Sequence, residues 1–453
     1  MLTDHDERAK PLGEGSLKRA GAPFLPLRFL LVFWLFVLSA VAFLDRTNIS
    51  IAGVQIAREF GLDNIHLGWI FSAFLVGYAV FQVPGGALAQ RLGPRRVLTL
   101  GVVWWGVFTA LTALVPAQVR GALWIMMIVR FLLGAGEATM YPATNSFIER
   151  WVPLNERGKA NGLIFAGVGF GSGVTPPLVT AIVLHYGWRA SFWFSAVVGV
   201  AVGLFWYLVA RDRPEEHPAI TAAELERIVR GRGDAVTAGQ AAISPPPFPS
   251  RKPATPWAKI LASKEVLALT GSYFAFCYVA WIFFSWFYIY LVQVRGLNLK
   301  SSAIYSMLPF VAMTIGCLLG GVASDWLARV RGPRLGRCWL SMVALVFTAV
   351  LLVLGSRVHE AITASLILAC GAGALYVSQN CFWSMTADIG GEYSGVVSGT
   401  MNMGGQIGAA VTALLTPIIA AHFGWEASFL TGGILAALGG LAWLAVDPAA
   451  RLS

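Results

Sequence analysis

The chain has 453 residues, of which 57% are hydrophobic and only 12% charged, and it carries a formal charge of +10. Soluble domains carry about 25% charged residues, so this composition excludes a soluble globular protein and indicates a polytopic membrane protein. The basic surplus does not point to nucleic acid, because the arginines and lysines fall in short loops between apolar runs, where they act as a topology signal.

Residues 1–27 are polar, with Arg8, Lys10, Lys18 and Arg19, and read as a cytoplasmic tail. The apolar run from Phe29 to Leu44 makes about 24 Å of helix, short of a roughly 30 Å hydrocarbon core. Continuation through Asp45-Arg46-Thr47-Asn48 into Ile49–Ala57 completes the span and places two charges at membrane depth. The alternative is that Asp45-Arg46 marks a helix end at the interface. Ala40-Val41-Ala42 resembles a signal-peptidase site, but cleavage there would leave an odd bundle, so the run is read as a retained span.

Further spans are expected at 67–89, 97–115, 122–148, 160–184 and 191–210, then at 267–292, 302–324, 338–355, 362–386, 394–420 and 428–446. The chain is therefore read as an all-α membrane protein of twelve transmembrane helices. It divides into a tail (1–27), a six-helix bundle (28–210), a cytoplasmic linker (211–264) and a second bundle (265–453). The linker is rich in Ala, Gly, Ser and Pro and holds one short helical pattern near 221–231. Arg91, Arg95, Arg96, Arg150, Arg157, Lys159, Arg329, Arg331, Arg334 and Arg337 gather on the side of the tail and linker, which makes that side cytoplasmic.

The fourth span contains Arg130 and Glu137 inside an otherwise uncharged run from Ala122 to Phe147. Seven residues make almost two turns, so both lie on one face but about 10 Å apart along the axis, too far for an easy mutual ion pair. A charge at that depth costs roughly 2.5–3.5 kcal/mol and is rarely present without a task. An internal repeat supports two halves: His185-Tyr-Gly-Trp188 recurs as His422-Phe-Gly-Trp425, and Gly85-Gly86 as Gly320-Gly321. The five cysteines (277, 317, 338, 370, 381) show no pairing pattern and read as buried, inert thiols. The six histidines (5, 66, 185, 217, 359, 422) lie in the tail or loops, and neither HExxH nor GxSxG occurs, which argues against an enzyme.

Gly86-Ala-Leu-Ala-Gln90-Arg91-Leu-Gly93-Pro-Arg95-Arg96 resembles the signature loop of the major facilitator superfamily. The run Arg130-Phe-Leu-Leu-Gly134-Ala-Gly136-Glu137, with Pro142, Trp151-Val-Pro153 and Arg157, is similar to the anion:cation symporter family. Its members include sugar-acid and phthalate-type permeases, sialin and the vesicular glutamate transporters. Asp45-Arg46-Thr-Asn48 and Gly395–Gly405 fit the same pattern, so the resemblance runs from about residue 28 to 446.

The resemblance implies a proton-coupled symporter that imports an organic carboxylate across the inner membrane, with both termini cytoplasmic, as a monomer. It requires no cofactor beyond protons. Arg46 would hold the carboxylate, as a fixed charge that can fork onto both oxygens. Asp45 and Glu137 would carry protons, with Arg130 tuning Glu137. Tyr78, Asn380, Trp383 and Asn402 would line the substrate, with Gln379 and Gln406 as further candidates. An exporter or anion exchanger on the same fold is the alternative. In the gating loop, Gln90 stands where the family carries an acid, whereas the second half keeps Asp325. Val168 replaces a glutamine of sugar-acid carriers. With Phe165, Phe170 and the aromatic run Trp281–Tyr290, this inclines the reading towards a less polar acid, such as an aromatic carboxylate.

Overall fold

The computed structural model describes residues 26–153, 156–231, 257–390 and 393–451; the side chains of Gln90 and Trp257 also lie outside the described residues. Most of the expected tail and the centre of the expected linker, 232–256, therefore lie outside them too. The described residues are helical, without a strand. Helices α1 (Leu27–Phe60), α2 (Asn64–Leu92) and α3 (Pro94–Leu114) are the first three spans. The fourth is α4 (Ala122–Glu137) with α5 (Met140–Trp151), and the fifth and sixth are α6 (Arg157–Tyr186) and α7 (Trp188–Val209). Two short helices follow, α8 (Ala222–Gly231) and α9 (Trp257–Ala262).

The seventh span joins α10 (Lys264–Trp281) to α11 (Phe287–Gln293) through a wide π turn at Ile282–Trp286, and α12 (Leu299–Arg331) is the eighth. The ninth starts with a second π turn, Arg334–Trp339, and continues as α13 (Leu340–Arg357). Then come α14 (Ala361–Val377) with α15 (Gln379–Gly390), and α16 (Ser394–Ala442). Eleven of these helical stretches are long and apolar enough to cross a membrane. The last contains two spans, because Gly424 breaks it at φ 84° and ψ 164°. Gly187, at the repeat-related position, separates α6 from α7 at φ 80° and ψ 166°. A side chain at either site would strain a backbone that only glycine adopts freely. Twelve spans result, as the sequence predicts.

Within each half the pairing repeats: α1 packs on α6, α2 on α4 and α3 on α7, as α10 packs on α16, α12 on α14 and α13 on α16. Small residues set the spacing. A Cβ on Gly134 would lie 2.1 Å from the Phe74 carbonyl, and one on Gly320 would lie 2.2 Å from that of Val377. Lipid-facing positions carry bare apolar side chains, such as Val83, Val197 and Val322. Cys370 departs from the expected burial: it is exposed, one turn from the exposed Leu366, on the outward stripe of α14.

Both described chain ends lie on one side, here the terminal side, and α8 docks there against the first half. Glu224 accepts from the backbone N–H groups of Leu27 and Arg28, at 3.0 Å each, and so caps the start of α1. Arg28 bridges Glu224 at 3.0 Å and Glu156 at 2.8 Å, and Arg227 of α8 reaches Glu156 at 2.6 Å. Hydrogen bonding from the Arg28 guanidinium holds the Glu156 carboxyl below its ordinary value, against the opposing effect of burial.

Candidate functional site

Helix α1 runs unbroken for 34 residues, so Asp45-Arg46 sits at mid-depth and does not mark a helix end. Successive residues on a helix point about 100° apart, and the two side chains part accordingly. Arg46 turns to α2 and α4, where its Nε donates to Glu137 Oε1. Asp45 turns to the other side, with Thr109 and Ser195 as its polar neighbours. The Arg46 side chain is 6% exposed and that of Glu137 1%, and Asp45 and Arg130 are equally buried.

Three rings surround the Arg46 guanidinium, with centroids at 4.6 Å (Phe43), 4.5 Å (Tyr78) and 5.7 Å (Phe74). Their π faces stabilise a desolvated cation. Arg130 lies 5.0 Å from the Phe74 ring and is within electrostatic reach of both Glu137 and Asp45. The direct ion partner of Glu137 is therefore Arg46, 91 residues away, a pairing the sequence did not indicate, while Arg130 stays close enough to act on Glu137 electrostatically.

The cluster is electrically balanced but incompletely hydrogen bonded. Both Asp45 oxygens, Glu137 Oε2, Arg46 Nη2 and Arg130 Nε have no hydrogen-bond partner. Unpaired buried charged groups are costly, so the cluster has hydrogen-bonding capacity left unfilled. It opens on a cavity lined by Arg46, Arg130, Ser50, Phe74, Trp281 and Ser285. The π turn of the seventh span brings the Ser285 carbonyl within 2.7 Å of the Ser50 hydroxyl, which donates to it. With the Asn64–Gln293 bond at 2.8 Å and the Phe71–Trp286 contact at 5.2 Å, this closes the halves together on the side away from the chain ends.

Towards the terminal side, aromatic rings cross between the halves. Tyr141, whose hydroxyl pairs with Ser39 at 3.1 Å, stacks on Phe165 at 5.6 Å. Phe165 meets Trp383 at 6.4 Å, and Trp383 meets Tyr273 at 6.2 Å. Tyr78 and Trp383 are thus brought to the central region. Asn380 is engaged elsewhere, because its amide donates to the Cys317 carbonyl of α12 at 2.7 Å. Asn402 is half-buried on α16, one turn before Gln406. Sequence reasoning missed Phe43, Phe74, Ser50 and Ser285, since apolar and small residues give no signal of their own in a span. It also missed Tyr141, although that residue stands inside the fourth-span motif.

In the gating loop, Gly93 adopts φ 89° beside Asp212, and Asp212 accepts from the Arg95 backbone N–H at 2.9 Å. Arg95 donates to the Tyr207 carbonyl at 2.9 and 2.6 Å. Gly86 packs towards Pro142, while Arg91, Arg96 and Asp325 are exposed. Gln90 lies outside the described side chains. Asp212, just beyond the sixth span, is a holding acid that sequence reading did not single out.

The family model of the Major Facilitator Superfamily matches residues 35–413. A "Probable sulfoacetate transporter" of Cupriavidus necator is 32% identical over 90% of this chain and 91% of its own. A "Probable galactarate/D-glucarate transporter" of Escherichia coli is 30% identical over 85% of this chain and 86% of its own. Among solved structures, a bacterial homolog of the human lysosomal transporter Spinster, inward-facing and occupied, superposes with a TM-score of 0.73. It is 17% identical and the match covers 94% of this chain and 97% of that one.

Proposed function

Because the chain belongs to the Major Facilitator Superfamily, we propose that it is a proton-coupled carrier that imports an organic carboxylate by alternating access. The observation that carries this reading is the buried Arg46–Glu137 pair beside the central cavity. An incoming carboxylate and the Glu137 carboxylate compete for one guanidinium. A proton on Glu137 removes its charge and frees Arg46 to fork onto the substrate. Asp45, adjacent in the chain and buried, offers a second proton-accepting carboxylate. Arg130, within electrostatic reach of both acids, would supply their counter-charge once the substrate has left.

Relatives named for sulfoacetate and for galactarate or glucarate transport support an organic anion as cargo. Trp383 and Tyr78 would flank it. The loop held by Asp212 and Arg95 would guard the cytoplasmic exit, with Gly86, Gln90, Arg91, Gly93, Arg96 and Asp325 in the same gating layer. In this reading the arginine-rich terminal side faces the cytoplasm and the membrane is the inner one. A monomer suffices for the cycle.

Glu137→Gln tests the coupling. In proteoliposomes the variant should keep substrate counterflow, because Arg46 remains available, and lose accumulation driven by an imposed pH gradient. Normal gradient-driven accumulation by Glu137→Gln would refute proton coupling through this acid.

A further inference from the structure

If one carboxylate rests on Arg46, the far end of the substrate meets the second half, and the chemistry there is neutral. In α10 the charges are Lys264 and Glu265 at its start; in α12 they are Lys300 near one end and Asp325, Arg329 and Arg331 near the other. The tenth span carries only Asp388 close to its end, and α16 only Glu426, beyond the break at Gly424. Between those ends, the described residues of these spans hold no charge.

They hold unused hydrogen-bonding groups instead. The buried Oε1 atoms of Gln379 and Gln406 and the indole N–H of Trp383 have no partner. Gln406 is 7% exposed. Its face of α16 points to the first half, since Ala409 and Ala413, on the same stripe, pack into that half's core. Gln379 donates to the Tyr273 hydroxyl at 3.5 Å, and Tyr273 presses on α16 beside Gln406: a Cβ on Gly405 would lie 2.6 Å from its ring. Trp383 leans on the same tyrosine. The cluster reaches the first half through Trp383, which meets Phe165, the ring stacked on Tyr141, so it lies on the terminal side of Arg46.

Buried polar atoms without partners cost free energy, and a cluster of them near an anion clamp is suited to receive the polar groups of a ligand. Amide and indole groups satisfy a hydroxyl, carbonyl or amide, but they cannot neutralise a second full charge in a dehydrated cavity. We infer that the substrate is a monoanion whose uncharged, hydrogen-bonding far end is held by Gln379, Gln406 and Trp383, and that dianions are disfavoured. The inference rests on the proposal that Arg46 binds the carboxylate. It separates this chain from relatives named for galactarate, glucarate and sulfoacetate, all of which are dianions.

The test is calorimetry on the purified full chain with matched acids: gluconate against glucarate, and 4-hydroxybenzoate against terephthalate and benzoate. In at least one pair the monoacid should bind about tenfold or more tighter than the diacid, the loss that follows from leaving a charged group unpaired. Gln406→Leu should weaken the hydroxylated monoacid roughly three- to tenfold, the worth of one neutral hydrogen bond, and leave benzoate unchanged. Gln406→Lys should shift preference to the diacid, and Gln379→Met repeats the loss if Gln406→Leu does not fold.

Equal or tighter binding of the diacids to the natural protein overturns the inference. So does an equal loss for benzoate and 4-hydroxybenzoate in Gln406→Leu. In both cases the anion reading stands as long as Arg46→Ala abolishes binding. If none of the acids binds, or if binding survives Arg46→Ala, the anion reading itself fails and takes the inference with it.

Discussion

The fourth and tenth spans occupy the same place in the two halves and share one backbone plan, yet they carry opposite chemistry. Each is interrupted at mid-depth, at Ala138-Thr139 in one and at Ser378 in the other. Each interruption lies against a glycine of the repeated pair: a Cβ on Gly85 would meet Thr139 at 3.0 Å, and one on Gly320 would meet Val377 at 2.2 Å. At the first break stands Glu137, ion-paired to Arg46. At the second stand Tyr376, Val377 and Gln379, all uncharged. Duplication fixes the architecture, while charge resides in one copy. In the carrier proposed above, anion clamping and proton handling would thus be separable from recognition of the rest of the substrate.

The largest effect should come from removing the clamp. Arg46→Ala leaves Glu137 without its ion partner, and deleting one member of a buried pair costs about 3–5 kcal/mol. We expect uptake to vanish and the detergent melting temperature to fall, unless low pH neutralises the acid. Uptake in Arg46→Ala comparable to the natural protein would show that the charged half is not the anion site.

The converse change asks whether the second break can be made to act like the first. Val377→Glu installs an acid at the matching interruption, but no arginine faces it among the described residues. The protein should lose roughly 2.5–3.5 kcal/mol, the cost of an unpaired charge at mid-membrane depth. It should gain no new limb in the pH profile of uptake. A second titrating step in that profile would mean that the break geometry, and not the arginine partner, makes a coupling site.

Much of this contrast is legible in the chain alone. Twelve spans follow from apolar length, and two halves follow from the repeats around Gly85 and Gly187. Intramembrane charge at 45, 46, 130 and 137 stands out because such residues are expensive. Which charge meets which does not stand out, because Arg46 and Glu137 are far apart in sequence and helical spacing constrains only neighbours on one helix. The same limit hid the docking of Glu224 on the start of α1, 197 residues away. Asn380 shows a further limit: its spacing fits a cavity position, and its amide also donates to the Cys317 carbonyl. A polar residue's face can be read from sequence; the carbonyl it finds there depends on how closely a neighbouring helix approaches.

The shared backbone plan is tested by packing. Gly320→Ala would drive a methyl into the Val377 carbonyl, whereas Gly86→Ala meets only Pro142 at 3.4 Å. The first should cost about 1–3 kcal/mol as overpacking; the second should leave melting within experimental scatter. Equal tolerance at both positions would show that the interhelical approach in the second half is looser than the structure has it.

On the terminal side each half also has its own ion pair near the end of the broken span, one buried and one screened, and the screened pair carries the smallest effect. Glu156 is nearly buried between Arg28 and Arg227, with side-chain exposures of 9% for the acid and 4% for Arg28. In the second half, Arg337 and Asp388 pair with 19% and 37% exposure. Hydrogen bonds from Arg28 hold the Glu156 carboxyl below its ordinary 4.5. A carboxyl depressed in the folded state binds its proton more readily when unfolded. Its contribution is therefore complete above that ordinary value and is lost as the pH falls through the lower, folded one. Glu156→Gln should lower stability near neutral pH by about 1.5–3 kcal/mol, and the gap should close on acidification. Asp388→Asn should cost only about 0–1 kcal/mol, because solvent screens its pair. Melting curves of both variants across pH read the comparison directly. A gap for Glu156→Gln that persists undiminished in acid would mean that the glutamate contributes through packing and not through its charge.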